Sequence, residues 1–121
     1  MWNDPSSAGI VTALGALAHE HRLALYRLLV ERGPEGLAAG TIAARLGVSP
    51  SSLTFHLQHL HRAGLITRRR TGRHLIYAAD FAAMNGLVFY LTRNCCGRGE
   101  AAFELPAVSA PAGRIPDRSS A

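Results

Sequence analysis

What the sequence lacks narrows what the protein can be. It contains no lysine, so all thirteen of its Lys and Arg positions are arginine, and it has only two cysteines, Cys95 and Cys96. No apolar run approaches the roughly 18 residues of a membrane span, and the N-terminus lacks the charged-then-apolar pattern of a signal peptide. We therefore expect a cytoplasmic protein without a membrane segment. Thiols stay reduced there, so the cysteine pair is expected to be reactive or metal-binding rather than a structural disulfide.

Acidic residues are absent from a long internal stretch. Between Glu35 and Asp80 there is no Asp or Glu, whereas the same stretch holds six arginines and four histidines, and the chain has a net charge of +5. A block of one charge sign inside a folded segment favours nucleic acid as a partner. A solvated basic face is the alternative that charge alone leaves open.

The spacing of apolar residues predicts a single folded domain over residues 1–99 and a flexible C-terminal tail over residues 100–121. Three helices are expected before residue 48, with Ser6 or Ser7 capping the first and Gly47 ending the third. A fourth helix should start after Ser49, with Pro50 in its first turn. Two short β-like runs, LITRRRT and RHLIYAA, then predict a hairpin, and Asp80 is a cap for the last helix.

This order predicts a mainly α fold with a β-hairpin wing, the winged helix-turn-helix. In that fold the second helix of the pair enters the major groove, where short polar side chains contact base edges and arginines grip phosphates. The residues expected to contact DNA are Ser49, Ser51, Ser52, Thr54, Phe55, Gln58 and His59 on the helix, and Arg68, Arg69, Arg70 and Arg73 on the wing. His56 falls on the apolar face of the helix, so we expect a satisfied, half-buried histidine there rather than a base contact.

The run IAARLGVSPSSLTFHLQHLHRAGLITRRRTGRHLIYAA resembles the DNA-binding core of the ArsR/SmtB family of bacterial metal-responsive repressors. The shared elements are the S-x-S helix start, H-L-x-x-L, the A-G-L-I exit and the R-x-G-R-x-x-x-Y hairpin. The resemblance implies a homodimer, formed by the first and last helices, that reads an inverted repeat in double-stranded operator DNA. Apolar stripes on those helices agree with it. The expected interface residues are Ile10, Leu14, Leu17, Leu87, Val88 and Leu91.

The metal sites common in that family are missing here, because the third helix has no cysteine and the last helix has no histidine. The remaining candidate is Asn94-Cys95-Cys96, which resembles a subset of arsenic-responsive repressors. Trivalent arsenic prefers thiolate ligands, so arsenite or methylarsenite is the expected inducer, with antimonite as a further candidate. Neighbouring residues of a helix point about 100° apart, so the thiols converge only if the helix frays. The chain lacks the third cysteine usual in those sensors, which suits a methylated arsenical because it needs only two thiolates.

The expected mechanism is repression in the metal-free state and release from DNA when an arsenical binds. A thiol redox switch that uses the same pair is the main alternative. An enzyme is disfavoured, because no cofactor-binding glycine motif is present and no histidine lies near the pair. A winged-helix module for protein interaction is a third class, and a steep salt dependence of DNA affinity would exclude it.

Overall fold

The computed structural model describes residues 5–97, and its α-helices and its hairpin follow the predicted order. The elements are α1 (Pro5–Leu17), α2 (Glu20–Arg32), β1 (Leu37–Ala38), α3 (Ala39–Leu46), α4 (Pro50–Arg62), β2 (Ile66–Thr71), β3 (His74–Ala79) and α5 (Phe81–Thr92), followed by a 3-10 turn at Cys95–Gly97. The contacts of the chain divide it into two units after Tyr90. All three strands and the helices up to that residue belong to the first unit.

The three strands form one antiparallel sheet in the order β1-β3-β2. In the wing, Ile66 pairs with Ala79 and Thr71 with His74. Strand β1 was not predicted, since its residues were expected to belong to the third helix; Leu37 and Ala38 instead pair with Tyr77 and Ile76. The preceding Gly36 has a φ of +73°, and a Cβ there would lie 2.5 Å from the Tyr77 carbonyl oxygen. Only glycine therefore lets the chain approach β3 this closely.

The core lies between α2, α3, α4 and the sheet. Its largest fully buried side chains are Leu25, Leu29, Ile42, Leu60 and Leu65. The predicted apolar face of α4 is confirmed, since Leu53, Leu57 and Leu60 are all buried. Burying a leucine of this kind contributes about 1.5–3 kcal/mol, so α4 is held to the body of the domain by its own apolar stripe.

Two of the predicted helix caps are confirmed and one is wrong. The Ser49 hydroxyl accepts a hydrogen bond from the backbone N–H of Ser52 at 3.2 Å, and the Asp80 carboxylate accepts one from the N–H of Ala83 at 3.0 Å. Neither Ser6 nor Ser7 caps α1, because α1 already includes Pro5. Proline suits a first helical turn since its missing N–H would have no helical partner there.

The helices among residues 5–97 include none that is long and apolar enough to cross a membrane. The predicted boundary between the folded domain and the tail, at residues 99 and 100, lies outside the described residues.

Candidate nucleic-acid interface

Helices α3 and α4 are joined by a three-residue turn, residues 47–49. Gly47 has a left-handed φ of 68°, and its N–H donates to the Ala43 carbonyl, which ends α3. Ser49 then caps α4, and Pro50 occupies the first turn. This glycine-then-serine sequence closes one helix and opens the next within three residues, which is the geometry of a helix-turn-helix.

The start of α4 presents a solvent-exposed polar face. The exposed residues include Ser49, Ser51, Ser52, Thr54 and Gln58. Phe55 is also exposed, at 55%. The Thr54 hydroxyl donates to the Pro50 carbonyl at 3.0 Å, so its proton is occupied while its oxygen can still accept. Hydroxyl, amide and apolar groups of this kind suit contacts with base edges and thymine methyl groups.

The wing carries its arginines on both faces of the hairpin. Its two-residue tip is Gly72-Arg73, with a φ of +63° at Gly72, as a tight hairpin turn with glycine in its first position requires. Because side chains alternate along a strand, Arg68 and Arg70 lie on one face and Arg69 on the other. Arg69 donates to the backbone carbonyl of Glu35 at 2.9 Å. Of these three strand residues, Arg68 and Arg70 are therefore better placed to contact phosphate.

Helix α4 and the wing contain arginine and histidine but no acidic residue. The ion pairs found among residues 5–97, Arg27 with Glu31 and Arg32 with Glu35, involve none of the wing arginines. His59 is half-buried on α4, and burial followed by the nearby Arg22, Arg62 and His19 charges lowers its pKa. His59 is therefore neutral at pH 7 and can offer DNA a hydrogen bond but no positive charge.

His56 lies on the apolar face of α4, as predicted, but it is buried rather than half-buried, with 7% of its surface exposed. It is not satisfied, however, because its Nδ1 atom has no hydrogen-bond partner among the described residues. Its ring packs against the rings of His19 and His21 at the start of α2, with centroids 4.8 and 5.7 Å away. We call His19, His21 and His56 the histidine cluster. The histidine cluster was not predicted from the sequence, although the H-x-H spacing at the start of α2 could have indicated two of its members.

The cysteine pair follows the end of α5. This helix ends at Thr92, Asn94 has a left-handed φ of 60°, and a 3-10 turn begins at Cys95. Asparagine tolerates this conformation better than most residues, and it commonly ends helices. The pair therefore lies outside regular α-helix, which is the condition that the sequence analysis set for two neighbouring thiols to converge. Cys95 is half-buried and disulfide-bonded; Arg98 lies outside the described residues.

The predicted dimer-interface residues differ in how far this single chain already buries them. Leu87 is buried, at 9% exposed, whereas Leu14 and Leu91 are 41% and 58% exposed. Ile10, Leu17 and Val88 are half-buried. Val11 and Phe89, at 64% and 57% exposed, were not predicted. Large apolar side chains are thus exposed on both α1 and α5.

Taken together, the helix-turn-helix, the polar start of α4 and the arginine-bearing hairpin define a winged helix-turn-helix protein. A family model of the helix-turn-helix domain matches residues 17–69. The transcriptional activator HlyU of Vibrio cholerae is 30% identical over 93 residues, which cover 77% of this chain and 83% of HlyU. The chain belongs to the ArsR family of winged helix-turn-helix transcriptional regulators, and not to a family of enzymes.

Solved structures agree with this assignment. An ArsR-like transcriptional regulator from Rhodococcus sp. RHA1 matches with a TM-score of 0.65 and 28% identity, covering 73% of this chain and 80% of that one. The homodimeric winged helix-turn-helix domain of Mb0332 from Mycobacterium bovis matches with a TM-score of 0.58 and 28% identity, covering 74% and 85%. A structure named as a possible transcriptional regulator for arsenical resistance matches with a TM-score of 0.56 and 30% identity, covering 65% and 79%.

Proposed function

We propose that this regulator binds an inverted repeat in operator DNA as a homodimer, with α4 in the major groove and the wing over the phosphates. The observation that carries this is the exposed polar start of α4 beside the arginines of the wing. A two-fold dimer would place its two α4 helices on half-sites about one turn, or ~34 Å, apart. The homodimeric Mb0332 domain supports this assembly.

The exposed apolar side chains favour α1 and α5 as the surfaces that a second copy covers. Val11 and Leu14 on α1 and Phe89 on α5 are each more than 40% exposed. A single chain of this length gains free energy if such side chains are removed from water. Sedimentation of the chain over a range of concentrations tests the dimer, and Val11→Asp or Phe89→Asp should shift it toward the monomer.

We further propose that the regulator is a repressor whose inducer is a trivalent arsenical bound by Cys95 and Cys96. The support is the Asn-Cys-Cys sequence, its place in a turn beyond α5, and the similarity to the possible regulator for arsenical resistance. A small cellular thiol would first reduce the disulfide; each protein thiol would then displace one hydroxyl group of the arsenical, which leaves as water with the thiol proton. Two thiols satisfy methylarsenite, whereas arsenite keeps one hydroxyl or takes a third thiol; antimonite follows the same chemistry.

Arsenical binding would act on DNA through the end of α5. Linking two adjacent residues through one arsenic atom fixes the turn after α5 and, through the proposed dimer interface, alters the distance between the two α4 helices. The operator is released only to the extent that the arsenical binds the DNA-free form more tightly. A coupling of 1–3 kcal/mol, typical of such linkages, corresponds to about 5–150-fold in affinity.

The test is fluorescence anisotropy of the reduced protein on its own upstream DNA. Arsenite, methylarsenite, antimonite and Zn²⁺ are titrated against the wild type and against Cys95→Ser and Cys96→Ser. Release by an arsenical in the wild type, with normal DNA binding but no release in either variant, is the expected result. Equal release in the variants, or retention of DNA under every arsenical, would reject the cysteine pair as the arsenical site.

A second candidate function is thiol redox sensing, and one observation favours it: Cys95 is disulfide-bonded. Oxidation of the pair would release two electrons to an oxidant such as peroxide and would change the same turn after α5. Peroxide added in place of the arsenical distinguishes the two functions. Release by peroxide alone, reversed by dithiothreitol and absent in both serine variants, would favour the redox sensor over the arsenical sensor.

A further inference from the structure

The histidine cluster brings together three imidazoles, two at the start of α2 and one on α4. His19 and His21 flank the first residue of α2 and are exposed, whereas His56 lies on α4 and is buried. One ligand nitrogen from each ring lies within 4.8 Å of the other two. The ring centroids of His19 and His56 are 4.8 Å apart, in a tilted arrangement.

Two features of the cluster favour a ligand. His56 Nδ1 is buried and has no hydrogen-bond partner among the described residues, although buried polar atoms are nearly always paired. One ligand nitrogen from each of the three rings also lies within 4.8 Å of the others, so three ligand atoms already lie close together. Neutral imidazole is also the ligand form that first-row transition metals take up.

We propose that His19, His21 and His56 bind a divalent first-row transition metal, with Zn²⁺ as the best fit. Zinc takes histidine nitrogens at about 2.0–2.1 Å in tetrahedral geometry, which places ligand nitrogens ~3.3 Å apart. The separations in the cluster need to shorten, which requires the two exposed rings at the start of α2 to move toward the buried ring. Three protein ligands leave the fourth position for water or another small ligand.

The cluster is separate in sequence and chemistry from the proposed thiol site. It offers nitrogen alone, so it suits borderline cations such as Zn²⁺, Co²⁺ and Ni²⁺ rather than trivalent arsenic. It also connects the start of α2 to the recognition helix α4. Metal binding would therefore fix the orientation of α4 relative to α2.

One local change accompanies binding. His19 Nδ1 accepts a hydrogen bond from the His21 backbone N–H at 3.1 Å, which caps α2. A metal on Nδ1 uses that lone pair, and a metal on Nε2 requires a proton on Nδ1. Either way the capping bond is lost, so the metal-bound form should differ from the metal-free form at the first turn of α2.

The test uses the untagged full chain carrying Cys95→Ser and Cys96→Ser, so that no thiol can bind metal. Co²⁺ alone is the first probe, because its visible absorption reports tetrahedral coordination, and Zn²⁺ competition follows. The cluster variants are His19→Asn, which keeps a good helix cap, and His21→Gln. The matched control is His61→Gln, an exposed histidine of α4 outside the cluster.

We expect one Co²⁺ per chain, displaced by Zn²⁺, in the cysteine-free protein and in the His61→Gln control. Each cluster variant should weaken binding by about tenfold or more, since even an outer-shell partner of a metal site is worth 10–100-fold. Circular dichroism should show that the variants remain folded. Absence of saturable Co²⁺ binding, or equal affinity in the cluster variants and the control, would overturn the site.

Discussion

Helices α4 and α1 are equal in length but differ in how completely this chain buries their apolar residues. On α4, Leu53, Leu57 and Leu60 are at most 3% exposed. On α1 the buried residues are the small Ala13 and Ala16, while the larger Val11 and Leu14 are 64% and 41% exposed. The helix that we propose reads DNA is thus held to its own domain by buried leucines, whereas α1, with exposed leucine and valine, has surface left for a second chain.

The same substitution at two leucines should separate these two situations. Leu60→Ala creates a cavity in the core and should lower the free energy of unfolding by about 2–5 kcal/mol. Leu14→Ala should change it by no more than ~0.5 kcal/mol at low protein concentration, as at other surface positions. Urea unfolding followed by circular dichroism measures both.

Protein concentration sharpens that test. If α1 packs in a dimer, Leu14→Ala should become more destabilising as the protein concentration rises, because association stabilises only the folded form. If Leu14→Ala lowers the free energy of unfolding as much as Leu60→Ala in dilute solution, then the single chain already buries Leu14 and the difference between α1 and α4 is wrong.

Within the interface, α4 and the wing should contribute to DNA affinity in different ways. Gln58→Ala should cost about 1–3 kcal/mol on the cognate site and little on unrelated DNA, because a base contact carries sequence information. Arg70→Ala should weaken the affinities for the cognate site and for unrelated DNA to a similar degree. It should also reduce the slope of log affinity against log salt concentration by about 1. Anisotropy titrations at several salt concentrations measure these effects. An Arg70→Ala variant with an unchanged salt slope would remove the wing from the phosphate contacts.

The two serines at the start of α4 provide a smaller contrast. Ser49→Ala removes the hydroxyl that accepts from the Ser52 N–H, so it should cost about 1 kcal/mol of stability. The Ser51 hydroxyl makes only a long 3.4 Å contact with Ser49, so Ser51→Ala should leave stability nearly unchanged. Thermal unfolding of the two variants measures the difference. Equal melting temperatures would show that the cap contributes little here.

The fold was more predictable than the site. The signals that predicted the fold are local: the apolar period and the turn and cap residues Gly47, Ser49 and Asp80. They were sufficient to predict the order of the α-helices and the hairpin and the buried face of α4. Strand β1 was not predicted, because its two residues are held by pairing with β3, which is a long-range contact. The histidine cluster was not predicted for the same reason, since His56 contacts His19 and His21 only when α2 packs on α4. The exposure of Val11 and Phe89 could not be predicted, because periodicity alone does not show which apolar residues a single chain leaves exposed to solvent.

Tyr26 offers the smallest and most specific test of burial on α2. Its side chain is 6% exposed, and its hydroxyl has no hydrogen-bond partner among the described residues. Burial, and to a lesser extent the Asp80 charge, raises its pKa. The folded state then holds the phenolic proton more tightly than the unfolded state, so this contribution to stability is present below pH ~10 and is lost as the pH rises through the folded pKa.

Tyr26→Phe removes both the unpaired hydroxyl and the titration. At neutral pH we expect stability to be unchanged or slightly higher, by up to ~1 kcal/mol, since no hydrogen bond is lost and a desolvation penalty disappears. Between pH 9 and about 11 the variant should lose less stability than the wild type. Urea unfolding across this range measures both effects. A large loss at neutral pH would mean that the hydroxyl has a partner, and parallel pH profiles would mean that Tyr26 titrates alike in both states.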